Sequence, residues 1–177
     1  GGDVTGVDMG AGDDQVVIRP VGRLRGVVTG GTGTDKVTVT ASRVRADLRD
    51  GVLSTRAGHA DAMITEVEDF SAEAAQYATV HGTPRPNHLE VNACRSHVRG
   101  GGGDDLIGSS ASRGRYSQCR DVPRRGIDVR LYGGPGDDAL RGSSVPDHLY
   151  GGPGRDTADG GTSRDVCRAE HRVDCEA

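Results

Sequence analysis

Four consecutive nine-residue blocks decide how this chain folds: GGPGDDALR (133–141), GSSVPDHLY (142–150), GGPGRDTAD (151–159) and GGTSRDVCR (160–168). Each block begins with glycine and has aspartate at position six. Position eight holds Leu140, Leu149, Ala158 and Cys167. Consecutive blocks that repeat the same residue types at positions six and eight indicate a solenoid, in which every repeat is a structural unit stacked on the next.

The same register appears upstream of these four blocks. Residues 82–108 form three further blocks without a gap, GTPRPNHLE, VNACRSHVR and GGGGDDLIG. MGAGDDQVV (9–17) and GGTGTDKVT (30–38) repeat the pattern near the start. Residues 39–81 are expected to be degenerate turns of the same solenoid, with Asp61 and Met63 spaced as positions six and eight. We therefore expect a single domain over residues 1–177.

The composition does not suit a conventional layered core. The chain has no Trp, one Phe, 29 Gly in 177 residues and only 33% hydrophobic residues. Such a composition alone favours disorder, so the periodicity is what indicates a fold. The net charge of −4 comes without a basic stripe, which argues against nucleic acid as a partner. No run of about 18 apolar residues predicts a membrane span. Because the chain begins in mid-pattern without an initiator Met, we expect a mature form or an excised fragment.

The blocks resemble the haemolysin-type, or RTX, calcium-binding repeat GGxGxDxUx, in which U is a large apolar residue. GGPGDDALR matches every fixed position of that motif. The resemblance covers residues 82–108 and 133–168, and more loosely 9–38. It implies an all-β fold, a right-handed parallel β-roll or β-solenoid of stacked nonapeptide repeats.

The spacing of the aspartates predicts a row of cation sites. If two blocks make one turn, loops on the same side are separated by two blocks, as those of Asp138 and Asp156 are. Stacked strands are about 4.8 Å apart, and two oxygens on opposite sides of one calcium ion are about 5 Å apart. Glycine at positions one, two and four permits positive φ and lets carbonyl oxygens turn inward. Carboxylates together with carbonyls suit calcium better than zinc or copper.

We therefore predict several calcium ions, held by one side chain in each loop and by backbone carbonyls of the glycine loops. The predicted side-chain ligands are Asp14, Asp35, Asn87, Asp105, Asp138, Asp147, Asp156 and Asp165. The predicted carbonyl ligands are those of Gly10, Gly12, Gly31, Gly33, Gly101, Gly103, Gly134, Gly136, Gly152 and Gly154. The position-five aspartates Asp13, Asp104 and Asp137 have two open alternatives, a supporting role or a solvent-facing one.

The four cysteines include no CxxC pair, which favours disulfides and an oxidising compartment over zinc or redox chemistry. The phase of nine breaks after residue 108, and residues 109–126 are expected to form an inserted polar loop. Cys94 lies at a loop position and could pin this insertion through Cys119.

The end of the chain is expected to be a cap. A Cys167–Cys175 disulfide would fold the tail, residues 166–177, over the open end of the solenoid, where a core face would otherwise be exposed. Four cysteines allow three pairings, and the sequence leaves the other two open.

No motif predicts catalysis, so we expect a non-enzymatic, extracellular, monomeric calcium-binding module. The glycine loops lack the third glycine of GxGxxG and any GK[ST], and neither HExxH nor GxSxG occurs. The alternative function is binding of an extracellular glycan or cell-surface partner. Tyr132 and Tyr150 both occupy position nine, with one full turn between them, and should stack on one outer face. The same stack could instead be a cross-strand pair that only stabilises the sheet.

Overall fold

The computed structural model describes residues 6–19, 25–55, 62–113 and 119–176. Strands and short loops alternate along these residues, with one 3₁₀ turn at Arg124–Gly126. The strands are β1 Val7–Asp8, β2 Gln15–Ile18, β3 Val27–Thr29, β4 Lys36–Thr40, β5 Arg43–Asp47, β6 Val52–Ser54, β7 Ala62–Thr65, β8 Asp69–His81, β9 His88–Arg99, β10 Leu106–Ser109, β11 Asp128–Tyr132, β12 Ala139–Ser143, β13 Asp147–Tyr150, β14 Thr157–Gly161, β15 Val166–Arg168 and β16 His171–Val173.

Within these residues, no helix has the length and apolar character needed to cross a membrane.

Two long runs of parallel strands and a short third run of β1, β3 and β7 form the sheet, and the long strands β8 and β9 take part in both long runs. The first run is β2, β4, the start of β8, the start of β9, β10, β12, β14 and β16. The second run is β5, the end of β8, the end of β9, β11, β13 and β15. Every neighbouring pair in these two long runs is parallel, so the predicted all-β stack of parallel turns is confirmed for them.

The register confirms that two nonapeptides complete one turn. Leu140 of β12 lies beside Ala158 of β14, the equivalent residue two blocks later, and β13 and β15 show the same offset. Ile107 of β10 lies beside Leu140 although the interruption of the repeat falls between them. The extra residues between β10 and β12 are therefore absorbed within one turn, and the inward-facing column continues across it.

A narrow column of apolar side chains fills the solenoid. Because side chains alternate between the two faces of a strand, the position-eight residues point inward and their neighbours point outward. All the position-eight residues of the seven blocks over 82–108 and 133–168 are buried: Leu89, Val98, Ile107, Leu140, Leu149, Ala158 and Cys167. The predicted inward column is thus confirmed for these blocks.

The expectation for residues 39–81 is wrong in part. β6 pairs antiparallel with both β5 and β7, so this stretch contains a hairpin within the parallel stack. The turn before β6 contains Gly51 with φ 68°, and the dipeptide Asp50–Gly51 is a hairpin signal. Met63 is 54% exposed and does not face the core, whereas Ala62 and Ile64 do. The other residue of that prediction, Asp61, lies outside the described residues.

Both predicted disulfides are present, Cys94–Cys119 and Cys167–Cys175, and the described part of the chain has no free cysteine. The expected loop position of Cys94 is wrong, because Cys94 is buried within the long strand β9. The segment 109–126 is less of a free loop than expected. Ala111 is buried, and its carbonyl accepts a hydrogen bond from the backbone N–H of Ser144. Cys119 is also buried, so the segment packs against the rest of the chain at Ala111 and at Cys119. Residues 114–118 lie outside the described residues.

Candidate metal centre

One oxygen-bearing side chain per turn stands immediately before each strand of the first run, from β2 to β16. The strand registers place these residues beside one another, turn upon turn. We call this set the acidic column: Asp14, Asp35, Glu68, Asn87, Asp105, Asp138, Asp156 and Glu170. Six of its eight members were predicted as ligands, and Glu68 and Glu170 were not.

Hydrogen bonds connect the acidic column from turn to turn. The backbone N–H of Asp105 donates to Oδ1 of Asp138 at 2.8 Å, and the N–H of Asp138 donates to Oδ1 of Asp156 at 3.0 Å. The same bond joins Asp14 to Asp35 and Asn87 to Asp105. One oxygen of each of these carboxylates thus accepts a hydrogen bond from the turn before it, which fixes the orientation of the side chain. We call this series of hydrogen bonds the ladder.

Two glutamates extend this ladder where the count of nine fails. Asp156 donates its N–H to Oε2 of Glu170 at 2.8 Å, across a turn shortened to 14 residues. Asp35 donates to Oε2 of Glu68 at 3.1 Å, 33 residues later, because the β5–β6–β7 hairpin lies between them. A position directly before a strand is the sequence signal that could have identified both glutamates.

The second carboxylate oxygen of four column members is buried without a partner. Among the described residues, no hydrogen-bond donor reaches Oδ2 of Asp35, Asp105, Asp138 or Asp156, and each of these residues is at most 2% exposed. Buried polar atoms almost always have a partner, since an unpaired one costs free energy. Four unpartnered oxygens in one column are what a row of bound cations would require.

Burial also disfavours the charged form of these carboxyl groups. It raises the pKa of Asp105 to about 7 and that of Asp138 to about 6, and the neighbouring carboxylate of the column adds to each shift. The backbone N–H that each accepts acts in the opposite direction. A cation beside the free oxygens would favour ionisation and reverse this balance.

The glycines at positions two and four have the conformation that the carbonyl prediction requires. Positive φ occurs at all ten glycines whose carbonyls were predicted as calcium ligands: Gly10, Gly12, Gly31, Gly33, Gly101, Gly103, Gly134, Gly136, Gly152 and Gly154. In the described loops, inter-loop hydrogen bonds use the carbonyls of Gly133 and Pro135 rather than those of Gly134 and Gly136. Gly10 departs from this pattern, because its carbonyl accepts the N–H of Thr32.

Glycine at position one has a different reason from the one expected. Gly100, Gly133 and Gly151 are not among the positive-φ residues. A Cβ on Gly133 would instead overlap Oδ2 of Asp138, and one on Gly151 would overlap Oδ2 of Asp156. Position one is therefore glycine because the unpartnered Oδ2 of the position-six aspartate occupies the space that a Cβ would need.

A comparison with protein families matches residues 132–167 to the RTX calcium-binding nonapeptide repeat, in four copies. These four blocks match the RTX calcium-binding repeat. A comparison with curated proteins finds no match. The RTX loop geometry extends beyond the matched residues, since the loops at 30–35 and 100–105 show the same positive-φ glycines and the same unpartnered Oδ2.

An ion between RTX loops would depend on the backbone for most of its ligands. In the part of the chain that the structure describes, no three side chains of His, Cys, Asp or Glu converge on one point. One or two carboxylates from the acidic column would therefore combine with glycine carbonyls, as hard oxygen donors suited to calcium. The residues present fit the cation that the RTX match implies.

The RTX loops on the opposite side form a much shorter column. Among the residues that the structure describes, only Asp147 and Asp165 occur there, because the preceding registers hold Val129, Ser96 and Ala78. The N–H of Asp147 donates to Oδ1 of Asp165 at 2.8 Å, and Oδ2 of Asp165 has no donor among the described residues. Asp147 differs from Asp165, since Ser143 of its own loop donates to Oδ2.

The position-five aspartates form a second ladder that runs in the opposite direction. Oδ1 of Asp104 accepts the N–H of Asp137 in the next turn, and Oδ1 of Asp137 accepts the N–H of Arg155. Asp13 accepts the N–H of Thr34 in the same way. These exposed carboxylates therefore support the loop backbone of the RTX turns.

Tyr132 and Tyr150 stack as expected, with ring centroids 4.9 Å apart and planes inclined by 10°. The Arg99 guanidinium lies over the Tyr132 ring, and that of Arg168 lies over the Tyr150 ring. The ring faces are thus covered by each other and by two cations. This geometry favours the sheet-stabilising alternative over a surface for stacking sugars.

Proposed function

We propose that this chain is an extracellular structural module whose fold is ordered and stabilised by calcium bound along the acidic column. The observation that carries the proposal is the file of unpartnered, buried Oδ2 atoms at Asp35, Asp105, Asp138 and Asp156. The RTX match over residues 132–167 supports calcium as the cation.

The energetics of the column explain why the fold should depend on a cation. Two carboxylates about 5 Å apart repel by about 3 kcal/mol at an effective dielectric of 20. The apolar column that opposes this repulsion is thin, since position eight includes residues as small as Ala158. Calcium supplies the opposing charge when bound, and it stabilises the folded chain by about 2.7 kcal/mol per site at a hundredfold excess over Kd.

An extracellular location is supported by the disulfides and by the calcium concentration that such a module needs for binding. Cys94–Cys119 and Cys167–Cys175 fit an oxidising environment. Extracellular calcium modules bind at about 10⁻⁴–10⁻³ M, which is available outside cells. We assign the module a structural rather than a catalytic role, because the ladder holds its acidic side chains in a spacing suited to a cation.

Thermal melting followed by circular dichroism tests the proposal. The protein should melt at a clearly higher temperature in a few millimolar calcium than in excess chelator. Magnesium at the same concentration is the matched control and should produce a smaller shift, since it requires shorter bonds and stricter octahedral geometry. Equal melting temperatures in calcium and chelator would show that the fold does not depend on the ion.

A further inference from the structure

The loops with Asp or Asn at position six divide into two kinds according to the residue at position two. Position two is glycine in six of these loops, and in five of them the position-six carboxylate retains a buried oxygen that no described residue reaches; these are Asp35, Asp105, Asp138, Asp156 and Asp165, and Asp14 is the exception. Position two is a hydroxyl residue in two loops, Thr83 in 82–87 and Ser143 in 142–147. The side-chain oxygens of Asn87 and Asp147 in those loops are not left unpartnered.

The Thr83 loop is closed by its own side chains. Oδ1 of Asn87 accepts the backbone N–H of Thr83 at 2.6 Å and its hydroxyl at 3.1 Å. Nδ2 of Asn87 donates to the carbonyl of Glu68 at 2.9 Å. The hydroxyl oxygen of Thr83 also accepts the N–H of Arg85, the position-four residue, at 3.1 Å.

The Ser143 loop repeats this arrangement with a carboxylate. Oδ2 of Asp147 accepts the N–H of Ser143 at 2.6 Å and its hydroxyl at 3.0 Å. The hydroxyl oxygen of Ser143 accepts the N–H of Val145, again the position-four residue, at 3.4 Å. A hydroxyl residue at position two thus organises the loop without glycine at position four.

The two arrangements use the position-two N–H in mutually exclusive ways. In two glycine loops this N–H points to the next turn: Gly101 donates to the carbonyl of Gly133 at 3.1 Å, and Gly134 donates to that of Gly151 at 2.9 Å. In a third glycine loop the N–H of Gly161 donates to Oδ1 of Asp159, so it too leaves the position-six carboxylate free of this bond. In the hydroxyl loops it points to the position-six side chain of the same loop. In the glycine arrangement one carboxylate oxygen stays available to a cation. In the hydroxyl arrangement the corresponding oxygen already accepts hydrogen bonds from its own loop.

We propose that the residue at position two decides which loops bind calcium, and that the loops at 82–87 and 142–147 are closed by Thr83 and Ser143 and bind none. This inference rests on the proposed function, since it presumes that the glycine loops bind calcium. Ions would then be bound at the glycine loops with an unpartnered oxygen, and the two hydroxyl loops would keep their shape without an ion. Asn87, which carries no charge, already shows that the closed arrangement needs no carboxylate.

The test counts calcium ions per chain by equilibrium dialysis at saturating calcium, with elemental analysis of the protein chamber. Asp147→Asn should bind as many ions as the wild type, because Asn can accept the same hydrogen bonds from Ser143. Asp156→Asn, the matched variant in a glycine loop, should bind at least one ion fewer. Loss of an ion from Asp147→Asn would overturn the inference while leaving the proposed function intact.

Two further measurements keep the inference testable if one variant folds poorly. Asn87→Ala should also retain the wild-type number of ions, and a lower number would overturn the inference. In excess chelator, Ser143→Ala should melt at a lower temperature than the wild type, because its hydroxyl closes the loop without an ion; an unchanged temperature would contradict that role. A wild type that binds no calcium would instead contradict the proposed function itself.

Discussion

The backbone N–H of Asp138 donates a 3.0 Å hydrogen bond to Oδ1 of Asp156, in the next turn of the solenoid. The other oxygen of the Asp156 carboxylate is buried, and no donor in the described part of the chain reaches it. The side chain therefore has two separable tasks, one in the ladder and one toward a cation. Substitutions can distinguish these tasks. Alanine removes both the hydrogen-bond acceptor and the cation ligand, whereas asparagine retains an oxygen that can accept the N–H of Asp138.

Asp156→Ala should lower the melting temperature in calcium more than Asp156→Asn does. Alanine leaves the buried N–H of Asp138 without its acceptor, which costs about 1–3 kcal/mol, in addition to the lost cation ligand. Asp121→Ala is the control, since its side chain is 96% exposed and lies outside both ladders. Melting curves in calcium and in chelator measure both effects. Equal losses from the alanine and asparagine variants would show that the ladder bond contributes nothing.

The calcium-free protein should become less stable as the pH rises from about 4 to about 7. Burial raises the pKa of Asp105 to about 7 and that of Asp138 to about 6, so the folded state holds protons that the unfolded state has released. Stability falls with pH wherever the folded state binds more protons. Melting temperatures in chelator across this range measure the effect.

Calcium binding at pH 6 should accordingly release protons. Calorimetric titrations in two buffers of different ionisation enthalpy would show this as a buffer-dependent heat. The same binding heat in both buffers would mean that the column carboxyl groups are already ionised.

Glu170→Ala should loosen the last turn of the first run. It removes the acceptor of the Asp156 N–H, so this amide should exchange with solvent faster in hydrogen-exchange measurements. Glu176→Ala is a nearby control, because its carboxylate contacts Arg164 at the surface and lies outside the acidic column. Unchanged exchange at Asp156 in Glu170→Ala would show that the glutamate does not belong to the ladder.

Removing the Cys94–Cys119 disulfide should destabilise the chain more than removing Cys167–Cys175. The two bridges close 25 and 8 residues, which corresponds to about 3.5 and about 2.5 kcal/mol of chain entropy. Paired Cys→Ser variants compared by denaturant unfolding in calcium measure the difference. The reverse order would indicate that the C-terminal cap protects the open end of the solenoid by more than loop closure.

The strict period of nine made most of the fold predictable from the sequence. Position eight identified Leu89, Ile107 and Leu140 as core residues, and the break in phase and the open end of the solenoid led to the two disulfides. The period failed where the chain departs from nine. The β5–β6–β7 hairpin separates Glu68 from Asp35, and a turn of 14 residues places Glu170 outside the period of nine.

The period also could not distinguish Asp147 from Asp156, since both occupy position six. The difference between them lies in the hydrogen bonds that Ser143 makes, which depend on loop conformation rather than spacing. Position two carries this information in the sequence, as serine or threonine instead of glycine. Local side-chain to backbone bonding of this kind competes with the regular repeat.

Anomalous scattering from crystals grown in calcium tests the central claim most directly. We expect anomalous peaks beside Oδ2 of Asp105, Asp138 and Asp156, between successive loops of the acidic column. Water or empty density at those three oxygens, in crystals containing millimolar calcium, would contradict it.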